Sequence, residues 1–264
     1  MVIQAADIAT VLSGTAVGFV LALVGGGGSI LAVPLLVYGV GVASPHVAIG
    51  TSAIAVAISA LANMIAHWTA GNVRWPCAIV FSLAGVTGAF AGASAAKQID
   101  GQNLLILFGI LMIAIGALML KRRAGGGDPA IRLTTTTARR LMPMLVGTGF
   151  AVGALAGFFG IGGGFLIVPG LMLATGMPLI YAIGTSLVAV VAFGAATAMS
   201  YAMSGLVDWR LAGLFIAGGL LGGLAGIATG RMIGSQDKVL RPAFAGIVIL
   251  VGGYVCLRGA LALL

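Results

Sequence analysis

The stretch VGGGGSILAVP, residues 24–34, lies inside a run that carries no charged side chain from Ile8 to Val73. Contiguous glycines cost about 1 kcal/mol each relative to alanine in a helix interior, so four of them predict a helix break. The surroundings place that break in lipid. The chain has 264 residues, of which 61% are hydrophobic and 7% charged, with a mean hydropathy of +1.21. Apolar runs of the ~20 residues that a spanning helix needs recur almost end to end. The polar/apolar alternation of a transmembrane barrel is absent. The composition therefore predicts an all-α polytopic membrane protein, and in lipid a broken helix is tolerated only where protein or a cavity covers it.

The break has a partner. GGGGSILAVP (25–34) matches GIGGGFLIVP (160–169), and AIGTS recurs at 48–52 and 182–186. At the same spacing Gly71, Val73 and Trp75 fall on Gly205, Val207 and Trp209, and Gly88/Gly92 on Gly222/Gly226; Gly14/Gly18 falls on Gly149/Gly153. Two homologous repeats follow, residues 1–122 and 143–264, joined by a linker over 123–142. The linker region KRRAGGGDPAIRLTTTTARR (121–140) holds six of the thirteen basic residues, which predicts a cytoplasmic location. The net charge of +8 is spread over segment ends and not over one soluble face, so the expected partner is the lipid bilayer and not nucleic acid. The N-terminal MVIQAADIAT lacks the basic region of a signal peptide, and no cleavage is expected.

Each half contains five apolar segments, roughly 8–24, 29–41, 45–70, 75–97 and 103–121 in the first. The second segment reaches only ~20 Å at 1.5 Å per residue, short of the ~30 Å hydrocarbon core. A Gly-rich broken or re-entrant helix plus about three full spans per half gives about eight transmembrane segments. If the first two segments form one interrupted span, the halves are parallel; if they fold back at the glycines, the halves are inverted. With the linker inside, the inverted layout places ten basic residues inside and three outside, and the parallel layout nine and four. The count favours inversion by one residue.

A helix that restarts after such a break presents unpaired N–H groups and the positive end of its dipole, which attract an anion. Gly26, Gly27, Gly28 and Ser29 in the first copy, with Gly162, Gly163 and Gly164 in the second, are the candidates. Thr51, Ser52, Thr185 and Ser186 of the GTS motifs sit about 10 Å into the membrane beyond helix starts at Ser44-Pro45 and Met177-Pro178. Their hydroxyls either complete the anion site or bond back to the preceding turn. The chain has no glutamate and five aspartates, all at segment ends or loops. Cation carriers normally keep an acid within a span, so this pattern favours an anion. Asn63 and His67 share a helical face, and Tyr201 is the repeat counterpart of His67; the three are candidates for proton coupling or a gate. Cys77 and Cys256 have no metal or redox spacing. No cofactor or metal is expected, and no nucleophile or paired carboxylate supports an enzyme.

Two copies of a GxGGG-like break followed by VP, then AxGTS, then a G-x-V-x-W end resemble the TauE/SafE sulfite exporter family, over residues 8–258. The resemblance implies a secondary transporter of small sulfur-containing anions, such as sulfite, sulfoacetate or another organosulfonate, in a bacterial inner membrane. A passive anion channel and a non-transporting membrane scaffold subunit are the alternative readings. Homodimerisation stays open.

Overall fold

The computed structural model describes residues 5–121, 135–160, 164–233 and 237–261. Helix α1 (Ala5–Val24) runs into the first glycine cluster. There the chain tightens into a 3₁₀ helix over Gly25–Leu31, makes one α-turn, α2 (Ala32–Pro34), and loosens into a π-helix over Leu35–Val40. Gly41, at φ +86°, ends it. A Cβ on Gly28 would collide with the Leu21 backbone and lie 2.9 Å from the Val17 carbonyl oxygen. Along an unbroken helix residue 28 would stand roughly 10 Å beyond residue 21. The chain has instead doubled back on α1, and only glycine permits that approach. Further along, a Cβ on Gly39 would lie 3.7 Å from Ser13 Oγ, which carries the return down the same helix.

Helix α3 (Pro45–Thr69) starts where Ser44 Oγ accepts the Val47 N–H, with Pro45 in the first turn, a pairing that pre-sets the helical backbone. After α4 (Trp75–Ala96) and α5 (Gly101–Lys121), the second half repeats the order as α6 (Thr135–Phe159), α7 (Gly164–Thr175), α8 (Leu179–Ala202), α9 (Trp209–Ile233) and α10 (Asp237–Leu261). Pro178 caps α8 from one position outside it, where α3 has its proline inside. Residues 135–142 of the expected linker form the first turns of α6, and 122–134 lie outside the described residues. Among the described residues seven helices are long and apolar enough to cross a membrane: α1, α3, α4, α5, α6, α8 and α9. Three shorter apolar stretches, Gly28–Val40, Leu166–Thr175 and Ala245–Leu261, complete the set.

Small residues decide how these helices meet. Cβ atoms on Gly14 and Gly18 of α1 would strike the carbonyls of Phe215 and Gly219 on α9; those on Gly149, Gly153 and Gly157 of α6 would meet the carbonyls of Phe81, Gly85 and Ala89 on α4. Residue numbers rise together along both seams, so each pair is parallel, and the second seam is the repeat image of the first. Backbones this close replace the hydrophobic driving force that lipid does not supply. The central pair differs. His46 at the start of α3 stacks on Tyr201 at the end of α8, and Ala57 meets Gly194. Likewise Gly109 of α5 meets Cys256 of α10, while Gly259 meets Ile106. Each of these pairs joins equivalent helices of the two halves, and each is antiparallel.

Candidate functional site

The GTS motifs lie one turn and a half into α3 and α8, on faces packed against the opposite half. Thr51, Ser52, Thr185 and Ser186 are fully buried. Thr51 Oγ1 accepts the backbone N–H of Asp208 at 3.0 Å, and Thr185 Oγ1 accepts that of Arg74 at 3.0 Å. These two bonds are images of each other under the repeat. Gly50 and Gly184 make them reachable: a Cβ on Gly50 would strike the Leu206 carbonyl, and one on Gly184 would lie 2.6 Å from the Asn72 carbonyl oxygen. The turn that closes one half's central hairpin is thus tied to the start of the other half's central helix. The serines bond to their own preceding turns, Ser52 Oγ to Ile49 O at 3.0 Å and Ser186 Oγ to Ile183 O at 2.7 Å. That is the local bonding weighed as the alternative to a ligand role.

The antiparallel packing of α3 on α8 also separates the motifs. With His46 at Tyr201 and Ala57 at Gly194, Thr185 stands opposite about residue 63, so the two GTS motifs are about twelve residues, or ~18 Å, apart along the pair. The four hydroxyls form two levels and not one cluster. The Thr51/Ser52 level receives the glycine break of the opposite half. Gly160, at φ +65°, seats against the Ile49 side chain, and its carbonyl oxygen lies 3.5 Å from Ser52 Oγ. The 3₁₀ segment that holds Gly26, Gly27, Gly28 and Ser29 packs against α7 and α8. Ser29 is fully buried inside that 3₁₀ segment, so the fresh α-helix start expected there is absent: the first break stays helical and changes pitch. In the second copy α7 does begin anew, at Gly164, while Gly162 and Gly163 lie outside the described residues.

Asn63 is buried and its Nδ2 donates to Ser59 O at 3.1 Å. His67 is half-buried, with Nδ1 unpartnered among the described residues. Tyr201 is fully buried against His46, its hydroxyl likewise unpartnered. Beside it Lys97 Nζ donates to Ser200 O (3.1 Å), Ser200 Oγ (3.0 Å) and Ser204 Oγ (3.1 Å), closing the C-terminal end of α8 with a cation that its dipole favours. At the other end of the molecule the Arg74 guanidinium lies 3.8 Å from the Tyr181 ring centroid.

Three buried hydroxyls without a partner among the described residues, Ser59, Ser82 and Thr197, were not singled out in the sequence. For Ser59 and Thr197 the available signal was spacing. Ser59, Asn63 and His67 recur at i, i+4 and i+8 on α3, and Phe193, Thr197 and Tyr201 hold the counterpart positions on α8. Among the described residues no group of three His, Cys, Asp or Glu side chains could hold a metal ion.

The arrangement ties two equivalent halves together at both ends of their central helix pair, through one threonine-to-backbone hydrogen bond at each end. Comparison with known proteins supplies the family. The family model described as sulfite exporter TauE/SafE matches residues 10–255. A probable membrane transporter protein of Xylella fastidiosa strain Temecula1 is 50% identical over 251 residues, 95% of each chain. The probable membrane transporter protein YunE of Bacillus subtilis is 30% identical over 266 residues, covering 94% of this chain and 97% of its own. No solved structure matches the chain. With seven helices able to cross a bilayer, the chain is a multi-pass membrane protein and belongs to the sulfite exporter TauE/SafE family of membrane transporters.

Proposed function

We propose that the protein is a secondary carrier of small sulfur-containing anions, sulfite or an organosulfonate, across the bacterial inner membrane, working by alternating access of two inverted halves. The observation that carries this reading is the reciprocal pair of bonds, Thr51 Oγ1 to Asp208 N–H and Thr185 Oγ1 to Arg74 N–H. A carrier needs two closures that exchange, one at each end of the site, and repeats related by an axis in the membrane plane provide them from one design. The antiparallel packing of α3 on α8 and of α5 on α10 supports such an axis, because a two-fold axis along the membrane normal leaves equivalent helices parallel. Anion selectivity is supported by the absence of glutamate and by the positions of Asp100 and Asp208 outside the helices, with Asp7 in the first turn of α1.

In this reading the two breaks form two half-sites. One combines the Gly162–Gly164 region with Thr51 and Ser52; the other combines Gly26 to Ser29 with Thr185 and Ser186. Each is open when its closure is broken. Purified protein in liposomes tests the proposal. Loaded unlabelled sulfite or ethanesulfonate should accelerate uptake of the labelled anion, saturably, with or without an imposed proton gradient. Flux without counterflow would replace the carrier with a channel, and no anion-dependent flux at all would leave a non-transporting subunit.

A further inference from the structure

Away from the GTS motifs, a cleft of about 360 Å³ opens between the end of the first broken segment, the start of α3, the start of α5 and the end of α10. Its polar side chains are Tyr38, Gln102 and Arg258, and its apolar wall includes Val37, Val42 and Leu105. Arg258 is exposed and held from one side only. Its Nε donates to Tyr254 OH at 3.1 Å, and the Tyr254 ring is fixed edge-on to Tyr38 with centroids 5.3 Å apart. The terminal guanidinium nitrogens make no hydrogen bond and no ion pair among the described residues, where the single ion pair is Arg210 with Asp7. Among the described residues no carboxylate lines the cleft. Asp100, the nearest acid in sequence to Gln102, accepts the N–H groups of Gln102 and Asn103 at the start of α5.

We infer that this cleft is a second binding site, for an oxyanion carried on a short apolar body. A guanidinium whose forked end is free matches the geometry of a sulfonate, phosphate or carboxylate group. The Gln102 amide adds neutral donors, and the aliphatic wall accommodates a few carbons, within the size usual for small-ligand pockets. Pro45 lines the cleft and Thr51 stands six residues further along α3, about 9 Å. The site therefore lies at the outer approach to the half-site containing Thr51 and Ser52, at the same end of the molecule as Lys97. Its role in capture for transport rests on the carrier reading; its binding chemistry does not. A soluble organosulfonate and the phosphate of a lipid headgroup share this chemistry.

The test is binding to the full chain in detergent, with ethanesulfonate as the soluble probe and phosphatidylglycerol retention, read by native mass spectrometry, as the lipid probe. Arg258→Ala should weaken one of the two by about tenfold or more, the effect of losing a charged hydrogen-bonding partner, and Arg258→Lys should restore part of it. Ala43→Asp, which places a carboxylate on an exposed wall position, should weaken the same probe. Loss confined to ethanesulfonate identifies a soluble anion, and loss confined to the lipid identifies a headgroup. Unchanged binding of both probes in Arg258→Ala and Ala43→Asp overturns the inference. Arg258-dependent binding in a protein that carries no flux would remove the carrier reading and leave the cleft; flux with wild-type KM and wild-type probe binding in both variants would do the reverse.

Discussion

The interface of α3 with α9 and that of α8 with α4 occupy the same place in the two halves and are filled differently. On α8, Phe193 lies over Gly85 and stacks on Phe81, with ring centroids 6.0 Å apart and planes at 21°. On α3 the counterpart of Phe193 is Ser59, which faces Gly219, and one turn later Asn63 faces Gly223. The glycine at the contact is retained in both, but a Cβ on Gly219 would lie 3.4 Å from the Ser59 Cβ, whereas one on Gly85 would meet the far edge of the Phe193 ring. What has moved is volume and polarity. The aromatic interface gains its stability from buried area and ring stacking. The polar one buries the Ser59 hydroxyl without a partner among the described residues, as α8 does with Thr197, so the two sides differ in aromatic volume and not in whether a hydroxyl goes unpaired. The two halves share a frame and fill this contact differently.

Three measurements can break or sharpen that contrast. The largest effect belongs to the aromatic side: Phe193→Ser, which copies the first half into the second, should destabilise the protein by about 3 kcal/mol or more, as for other large-to-small changes at fully buried aromatics. Thermal unfolding in detergent reads this, and a loss below about 1 kcal/mol would mean that the stack does not hold the interface. Next come the paired closures. Thr51→Val and Thr185→Val each leave a backbone N–H without its acceptor and should each cost roughly 1–3 kcal/mol, with serine at either position recovering most of the loss. Clearly unequal costs would show that only one closure is made in the resting protein. The smallest effect belongs to the ion pair of Arg210 with Asp7 at 2.8 Å, which has no repeat image, since Pro76 and Met142 hold the counterpart positions. Arg210 is half exposed, so Asp7→Asn should shift stability by about 1 kcal/mol or less, and the shift should shrink as salt is added.

Much of this fold was legible in advance because the bilayer constrains it so tightly. Segment ends predicted at 24, 70 and 121 fall within a residue of helix ends at Val24, Thr69 and Lys121, since hydrocarbon thickness and Gly/Pro punctuation act locally. The breaks were legible for the same reason, as contiguous glycines cannot hold an α-helix. Their conformation was not. GGGGS reads as a helix restart, yet it is a 3₁₀ turn folded back on α1, because close packing against Leu21 and Val17 selects among the conformations glycine allows. Ser29, which differs between the two copies, is accordingly buried within that turn and not at a free helix end.

Repetition, a membrane setting, the punctuation of each half and the scarcity of acids are properties of the chain read alone, because each depends on residue type and local spacing. Contacts between the halves are another matter. That Thr51 reaches Asp208 and Thr185 reaches Arg74, that the GTS motifs stand at two levels, and that Arg258 meets Tyr38 and Gln102 over one cleft all follow from how α3 lies on α8 and α5 on α10. Those pairings join residues more than a hundred positions apart. Their register is set by where small residues let two backbones touch, and only the assembled tertiary structure chooses which glycine faces which helix.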